Sequence, residues 1–429
     1  MNNLLSNFCT DCLRPGSFLR SLATLGSGTA IAQIIPILAS PIVTRLYSPQ
    51  DFAMLAIFMS IVATFTPVIC GKYEVALVLP KNQAHADHLL GIALYFSFAI
   101  SGILAIMIAI AGDDFLLFLK ADKLGGWLYF IPLALLLTGV FTAVNYYSNR
   151  NKDYAIMSRV RVTRTLTTTV TNIACGILGT HFFGLLTAFH CGIVFSTGYL
   201  LFHYRNLLNL QILRWNKKKR WLLQQYRHYP LYNATSSLLD GLTLSLPIFF
   251  MSRYFPDSVV GYYSLIIRVA LTPVTFISVS VSYINLKKIV DLVNNRQSLV
   301  PYLLTLTALL ALIIMIPSII IIAWGPELFS LVFGSSWVAA GEYARILMPG
   351  IAIQFIVSIL SSTLDATSNN RLGALWKVTS FILTFSVLAW FSPIGNIKIL
   401  LYAFTAANIM LYLFYYAIIL YAAQNPRNL

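Results

Sequence analysis

From Leu303 to Trp324 the chain reads LLTLTALLALIIMIPSIIIIAW, without one charged side chain. At 1.5 Å per helical residue a run of that length matches about 30 Å of hydrocarbon. Runs like it recur from end to end. A bilayer core offers no water to backbone N–H and C=O groups, so segments that cross it must satisfy their own hydrogen bonds as helices. Of the 429 residues 58% are hydrophobic and only 10% charged, against roughly a quarter charged in a soluble domain. The expected fold class is an all-α integral membrane protein.

Reading the apolar runs with their breaks gives about twelve spans: 18–44, 52–79, 88–111, 126–148, 162–180, 184–204, 231–253, 259–285, 301–324, 343–366, 373–392 and 397–422. The start of the fifth, RVRVTRTLTTTVTN, is unusually rich in Arg and Thr. With the N-terminus inside, the inner connections hold most Lys and Arg, and the outer ones only Arg45, Lys120, Lys123, Arg253 and Lys398. The positive-inside rule then places both termini in the cytoplasm. The formal charge of +15 belongs to those inner loops, and without a compact basic domain a nucleic-acid partner is not expected.

Three domains follow: an N-terminal six-helix lobe at 1–204, a basic cytoplasmic linker at 205–230 and a C-terminal six-helix lobe at 231–429. In the linker Trp215 and Trp221 bracket a Lys/Arg cluster, as in a helix lying on an anionic leaflet. The lobes carry a faint repeat. RLYSPQDFA begins at Arg45 and RYFPDSVVG at Arg253, and the interval between these arginines equals that between Ala53 and Gly261. Two parallel repeats of this kind enclose a central cavity in the expected architecture.

Most charges, Arg345 and Lys377 among them, fall near span ends, where long side chains reach the interface. Lys72, Glu74, Asp240 and Arg268 lie deeper, roughly 9–14 Å into the layer. Ionisable groups at that depth are costly unless paired or wetted, and a functional role is their default reading; a buried structural pair is the alternative. Polar residues repeat at helical spacing on four spans. These are Thr29, Gln33, Ser40 and Thr44 on the first; Ser60, Thr64, Gly71 and Glu74 on the second; Asn233, Ser237 and Asp240 on the seventh; and Ser264, Arg268, Thr272, Thr275 and Ser282 on the eighth. Such stripes suit the wall of a wet cavity, although a lone stripe also suits hydrogen bonding between helices. Lys72 falls on another face of its helix unless Pro67 distorts it. Near the inner mouth Arg161, Thr165, Thr168 and Asn172 form a further stripe with Arg164 beside it, suited to an anionic ligand or to plain positive-inside bias. Cys9 and Cys12, His85 and His88 lack the further ligands a metal site needs, and no nucleotide-binding loop is found. No metal or other cofactor is expected.

The opening GSGTAIAQIIPILASPIVTRLYSPQDFAMLAIFMSI and the later GKYEVALVLP resemble the polysaccharide exporters that flip lipid-linked sugar repeats, the Wzx-type O-antigen flippases. Their superfamily also holds peptidoglycan-precursor flippases and drug exporters. The resemblance implies a bacterial cytoplasmic (inner) membrane protein that carries undecaprenyl-diphosphate-linked oligosaccharide from the cytoplasmic to the periplasmic leaflet by alternating access. It implies as partners the lipid-linked oligosaccharide, membrane lipids, a polysaccharide polymerase and a chain-length regulator. In the related flippases cavity arginines on the first and eighth spans handle the substrate. Arg268 matches the eighth-span position, whereas the first span carries Gln33 at mid-membrane. Substrate contacts are thus expected at Arg268, Lys72, Gln33, Arg161, Arg164, Thr272 and Thr275. Coupling to a proton or sodium gradient, or to the membrane potential, is expected at Glu74 and Asp240. A drug/cation antiporter of the same superfamily and a membrane-embedded O-antigen polymerase or glycosyltransferase stand as alternatives.

Overall fold

The computed structural model describes residues 18–424 except 121, 206–213, 272–280, 282–284, 286, 287, 294, 296 and 368. Among the described residues no strand is found, and ten segments are helical, long and apolar enough to cross a membrane. In chain order the helices are α1 (Phe18–Leu46), α2 (Pro49–Phe65), α3 (Tyr73–Ala76), α4 (Gln83–Leu119), α5 (Ile131–Arg150), α6 (Tyr154–Ile177), α7 (His181–His203) and α8 (Lys217–Gln225). There follow α9 (Thr235–Tyr254), α10 (Asp257–Ile266), α11 (Val300–Phe333), α12 (Val338–Leu360), α13 (Ser362–Ala366), α14 (Asn370–Phe391) and α15 (Ile397–Gln424). The expected fifth span is α6, long enough to cross but too polar to count among the ten. The eighth begins as α10 and widens into a π-turn at Ile267–Leu271, beyond which residues 272–280 lie outside the described set.

The chain divides into two compact units, one of Met1–Leu46 with Ile61–Gly241, the other of Tyr47–Ser60 with Leu242–Leu429. Of the three boundaries, one follows the end of α1 and the other two fall inside helices, α2 and α9. In the first unit the segment that sequence reading treats as a linker is built in. Asn216 caps α8 by accepting from the Lys219 N–H at 2.8 Å. Leu222 and Lys219 are buried, and burial pushes the Lys219 ammonium below its ordinary value. Trp215 and Trp221 remain about half exposed, each with one edge against α4, on Tyr95 and His85 respectively.

Two of the prolines inside these helices are answered by neighbouring donors. Pro41 has no N–H for the Ile37 carbonyl, and Ser40 Oγ donates to that carbonyl at 2.7 Å. In the second unit Pro326 likewise leaves the Ile322 carbonyl of α11 without a helical donor, next to a kink at Trp324. Arg345 Nε donates to Ile322 O at 2.7 Å. The expectation that Arg345 sits at a span end is therefore corrected: α12 begins at Val338, several residues earlier than hydropathy shows, and Arg345 lies within it as a bond to a broken neighbour.

The turns paired by the sequence repeat meet in the second unit. Gly261, on α10, packs on the Pro49 carbonyl so closely that any Cβ would overlap it. Phe52 and Tyr262 both lie edge-on to the fully buried Trp337, with centroids at 4.9 and 6.0 Å.

Candidate functional site

The second expected span is not one helix. α2 ends at Phe65, where Pro67 and a 3₁₀ turn at Thr66–Val68 take over, and the chain then turns through Gly71 and Lys72, both at positive φ. Glycine takes that conformation freely and lysine at a cost of about 1 kcal/mol. A Cβ on Gly71 would also lie 2.7 Å from the Phe96 ring. Counting helix faces across this break, as sequence reading does for Lys72 and Glu74, is therefore corrected: the two belong to a turn and the first residues of α3.

Tertiary ties hold the turn. Cys70 Sγ lies 3.3 Å from Ser97 Oγ of α4 and donates to the Gly139 carbonyl of α5 at 3.3 Å. Tyr73 lies tilted against Phe96, ring centroids 5.2 Å apart. Arg150 Nη1 donates to the carbonyls of Leu77 and Val78, each at 3.3 Å, and its Nε to Gln83 Oε1. A cation thus closes the carbonyl end of α3.

Inside this frame the Glu74 carboxylate is buried, 4% exposed, and its Oε2 has no hydrogen-bond partner among the described residues. Glu74 lies between the apolar spans Pro49–Val68 and Gln83–Leu119. Burial pushes its carboxyl above the ordinary carboxylate value, while its own backbone N–H and the half-buried Lys72 pull the other way. A carboxyl whose folded value is raised stabilises the fold fully below its ordinary value and loses that contribution as pH rises through the raised value. Glu74→Gln is therefore expected to raise the unfolding midpoint of the purified protein at neutral pH. The gain over wild type should vanish as pH falls below the ordinary 4.5. A pH-independent difference in thermal unfolding would remove the carboxyl as its cause.

Elsewhere in the first unit α1 and α6 lie against each other. Gly28 leaves room for Ser158, and Arg161 Nη1 donates to Thr29 Oγ1 at 2.6 Å. Two of the polar stripes thus touch. One turn beyond Thr29, Gln33 Oε1 is buried with no partner among the described residues. Ser40 and Thr44 instead bond back to carbonyls of their own helix. The Arg164 guanidinium sits over two rings, 5.4 Å from Phe141 and 6.0 Å from Phe189, with no hydrogen bond or ion pair among the described residues.

On α2 and α9 the stripes are partly spent between helices. Gly241 would carry a Cβ 2.9 Å from the Thr64 carbonyl, and Ser245 Oγ donates to the Ser60 carbonyl at 3.0 Å. Asp240, just before that glycine, is half-buried. Arg268 lies in the π-turn after α10, half-buried, with no hydrogen bond or ion pair among the described residues. Thr272 and Thr275, like Cys9 and Cys12, lie outside the described residues. Sequence reading missed the roles of Cys70, Arg150 and Arg345 in tying broken helices; Pro67 and Pro326 were the available signals, since each removes a donor.

The fold is similar to those of several solved membrane transporters, each at 15% identity or less. A lipid II flippase, MurJ, in an inward closed conformation aligns with a TM-score of 0.71 at 15% identity, over 94% of this chain and 90% of its own. A multidrug resistance MATE transporter of the MOP superfamily in an inward-facing conformation aligns at 0.68 and 14%, over 92% and 96%. A MOP superfamily transporter from Pyrococcus furiosus aligns at 0.61 and 14%, over 95% and 96%. No curated protein matches the chain. The family described as polysaccharide biosynthesis protein matches residues 42–342, and the chain belongs to it.

Proposed function

We propose that this multi-pass membrane protein is a flippase for undecaprenyl-diphosphate-linked oligosaccharide, an O-antigen or similar repeat unit. It would move its substrate from the cytoplasmic to the periplasmic leaflet of a bacterial inner membrane by alternating access, with both termini cytoplasmic. The observation that supports this reading is Arg268, a guanidinium among apolar helices with no anion to answer it among the described residues. Such a group costs several kcal/mol unless something neutralises it, and a diphosphate is the bidentate anion that an arginine fork fits. Membership in a polysaccharide biosynthesis family supplies the sugar carried on that diphosphate. Arg164 and Arg161 serve as further cationic contacts, with Gln33, Lys72, Thr272 and Thr275 as polar ones. Glu74, buried beside Lys72, and Asp240 serve in coupling to a proton or sodium gradient. Bonds are neither made nor broken: the protein lowers the cost of carrying charge across hydrocarbon while the lipid tail stays in the bilayer.

Depleting the protein is expected to accumulate lipid-linked oligosaccharide on the cytoplasmic leaflet, read by glycosidase access in inverted and right-side-out vesicles. Depletion that leaves the distribution between leaflets unchanged overturns the reading. The buried Glu74 carboxylate, its Oε2 without a partner among the described residues, favours drug/cation antiport as the second reading, which predicts instead a change in cationic-dye efflux with normal surface polysaccharide.

A further inference from the structure

The second unit contains a cavity of about 90 Å³ near the middle of its helices. Gln354 of α12, Ser380 and Thr384 of α14, and Thr405 and Asn408 of α15 give it a polar lining. None of the lining residues carries a formal charge. The hydroxyl of Thr405 is buried with no partner, and among the described residues the other four side chains also make no hydrogen bond.

Buried hydroxyls such as those of Ser101, Thr363 and Ser392 are also unpaired among the described residues, but they stand singly, whereas these share one cavity. Elsewhere in the same unit Thr307, Ser318, Thr367 and Thr379 donate to a carbonyl one turn back on their own helix at 2.6–3.0 Å. Helical hydroxyls have that partner within reach. Here three hydroxyls decline it and two amides stand beside them, all turned to one space. Unpaired polar groups in an apolar interior call for a bound partner. Phe404, Tyr412 and Tyr263 complete the wall with aromatic surface.

We propose that this cavity is a subsite for a neutral polyhydroxylated group, a single pyranose of the transported oligosaccharide. Hydroxyls and amides both donate and accept, as sugar hydroxyls do, and aromatic rings cover the apolar C–H face of a pyranose. The volume holds on the order of six waters, about what a pyranose displaces. The absence of charged lining residues argues against an anion, and a sugar held by neutral bonds can be released again. Naming the ligand a sugar of the lipid-linked substrate rests on the flippase reading above.

The test uses the full-length protein in detergent, titrated with a panel of methyl glycosides (gluco, galacto, N-acetylglucosamino and rhamno) and, separately, with sodium chloride replacing choline chloride. At least one glycoside is expected to raise the thermal unfolding midpoint and to give a saturable titration. Gln354→Leu and Asn408→Leu should each weaken that binding about tenfold, the loss of one or two hydrogen bonds to a buried ligand. Removing unpaired buried polar groups should not unfold the protein, and the near-isosteric Thr384→Val provides a third variant should either leucine fail to fold. Failure of every glycoside to bind overturns the subsite, as does binding that survives in all folded variants. A sodium-induced shift abolished by the variants overturns it in favour of a cation site. Vesicle accumulation after depletion separates the two claims: accumulation without glycoside binding sinks the subsite alone, whereas binding without accumulation sinks the flippase reading.

Discussion

Arg268→Ala is expected to abolish export of the surface polysaccharide while the protein still inserts and folds. The direction of both effects comes from the same fact. A half-buried guanidinium with no acceptor among the described residues contributes no bond to them, so removing it sacrifices packing but no ion pair there. The same guanidinium, once a diphosphate arrives, makes charge-assisted bonds of about 1.5–3 kcal/mol each. Losing a bidentate pair lowers the bound fraction by a factor on the order of 10³. Lysine at this position keeps the charge but loses the fork, so Arg268→Lys should retain partial export. Arg164→Ala should cost less, because that cation already rests on Phe141 and Phe189. Polysaccharide at the cell surface and protein in the membrane fraction are both read in a complemented deletion strain. Normal surface polysaccharide in Arg268→Ala removes this residue from the mechanism.

Much of the fold is legible in the sequence because the bilayer allows so few solutions. A run such as Leu303–Trp324 has to be a helix, and α11 contains it. Where the run is not purely apolar the pattern weakens: α6 carries Arg159, Arg161 and Arg164, and it is held by packing on α1 and α7. The break after Phe65 was harder to see. Hydropathy runs on unbroken through GKYEVALVLP, and the features that stop the helix are a proline and a lysine at positive φ. That lysine is tolerated only because Cys70 and Arg150 secure the chain on either side. Glu74 and Arg268 stood out from the sequence by their depth, but the bare Glu74 Oε2 and the unanswered Arg268 guanidinium among the described residues are tertiary facts. The polar cavity residues were invisible in another way. Gln354, Thr384 and Asn408 lie on three helices, and single-helix periodicity cannot bring them together.

Gly341→Leu is expected to unfold the second unit or to prevent its assembly. Gly325 and Gly341 face each other where α11 kinks. A Cβ on Gly341 would come within 2.6 Å of both the Gly325 carbonyl carbon and Pro326 Cα, and a Cβ on Gly325 would come within 2.7 Å of the Gly341 oxygen. These obstacles are backbone, so no rotamer relieves the overlap and the helices must part. Parting them also draws Arg345 away from the Ile322 carbonyl, which Pro326 has already deprived of its helical donor. Overpacking costs about 1–3 kcal/mol and a carbonyl left without its donor a similar amount. Together they make about 2–6 kcal/mol, a large part of the stability of an ordinary domain. Gly102→Ala on α4 is the control, since a Cβ there meets nothing within 4 Å and alanine favours the helix by about 1 kcal/mol. Arg345→Met separates the two contributions: it keeps most of the side-chain volume, orphans the Ile322 carbonyl and should cost about 1–3 kcal/mol. Thermal unfolding of the purified variants, with monodispersity on size exclusion, ranks the three. A Gly341→Leu protein as stable as wild type would mean that the glycine contact at the kink does not hold these helices together.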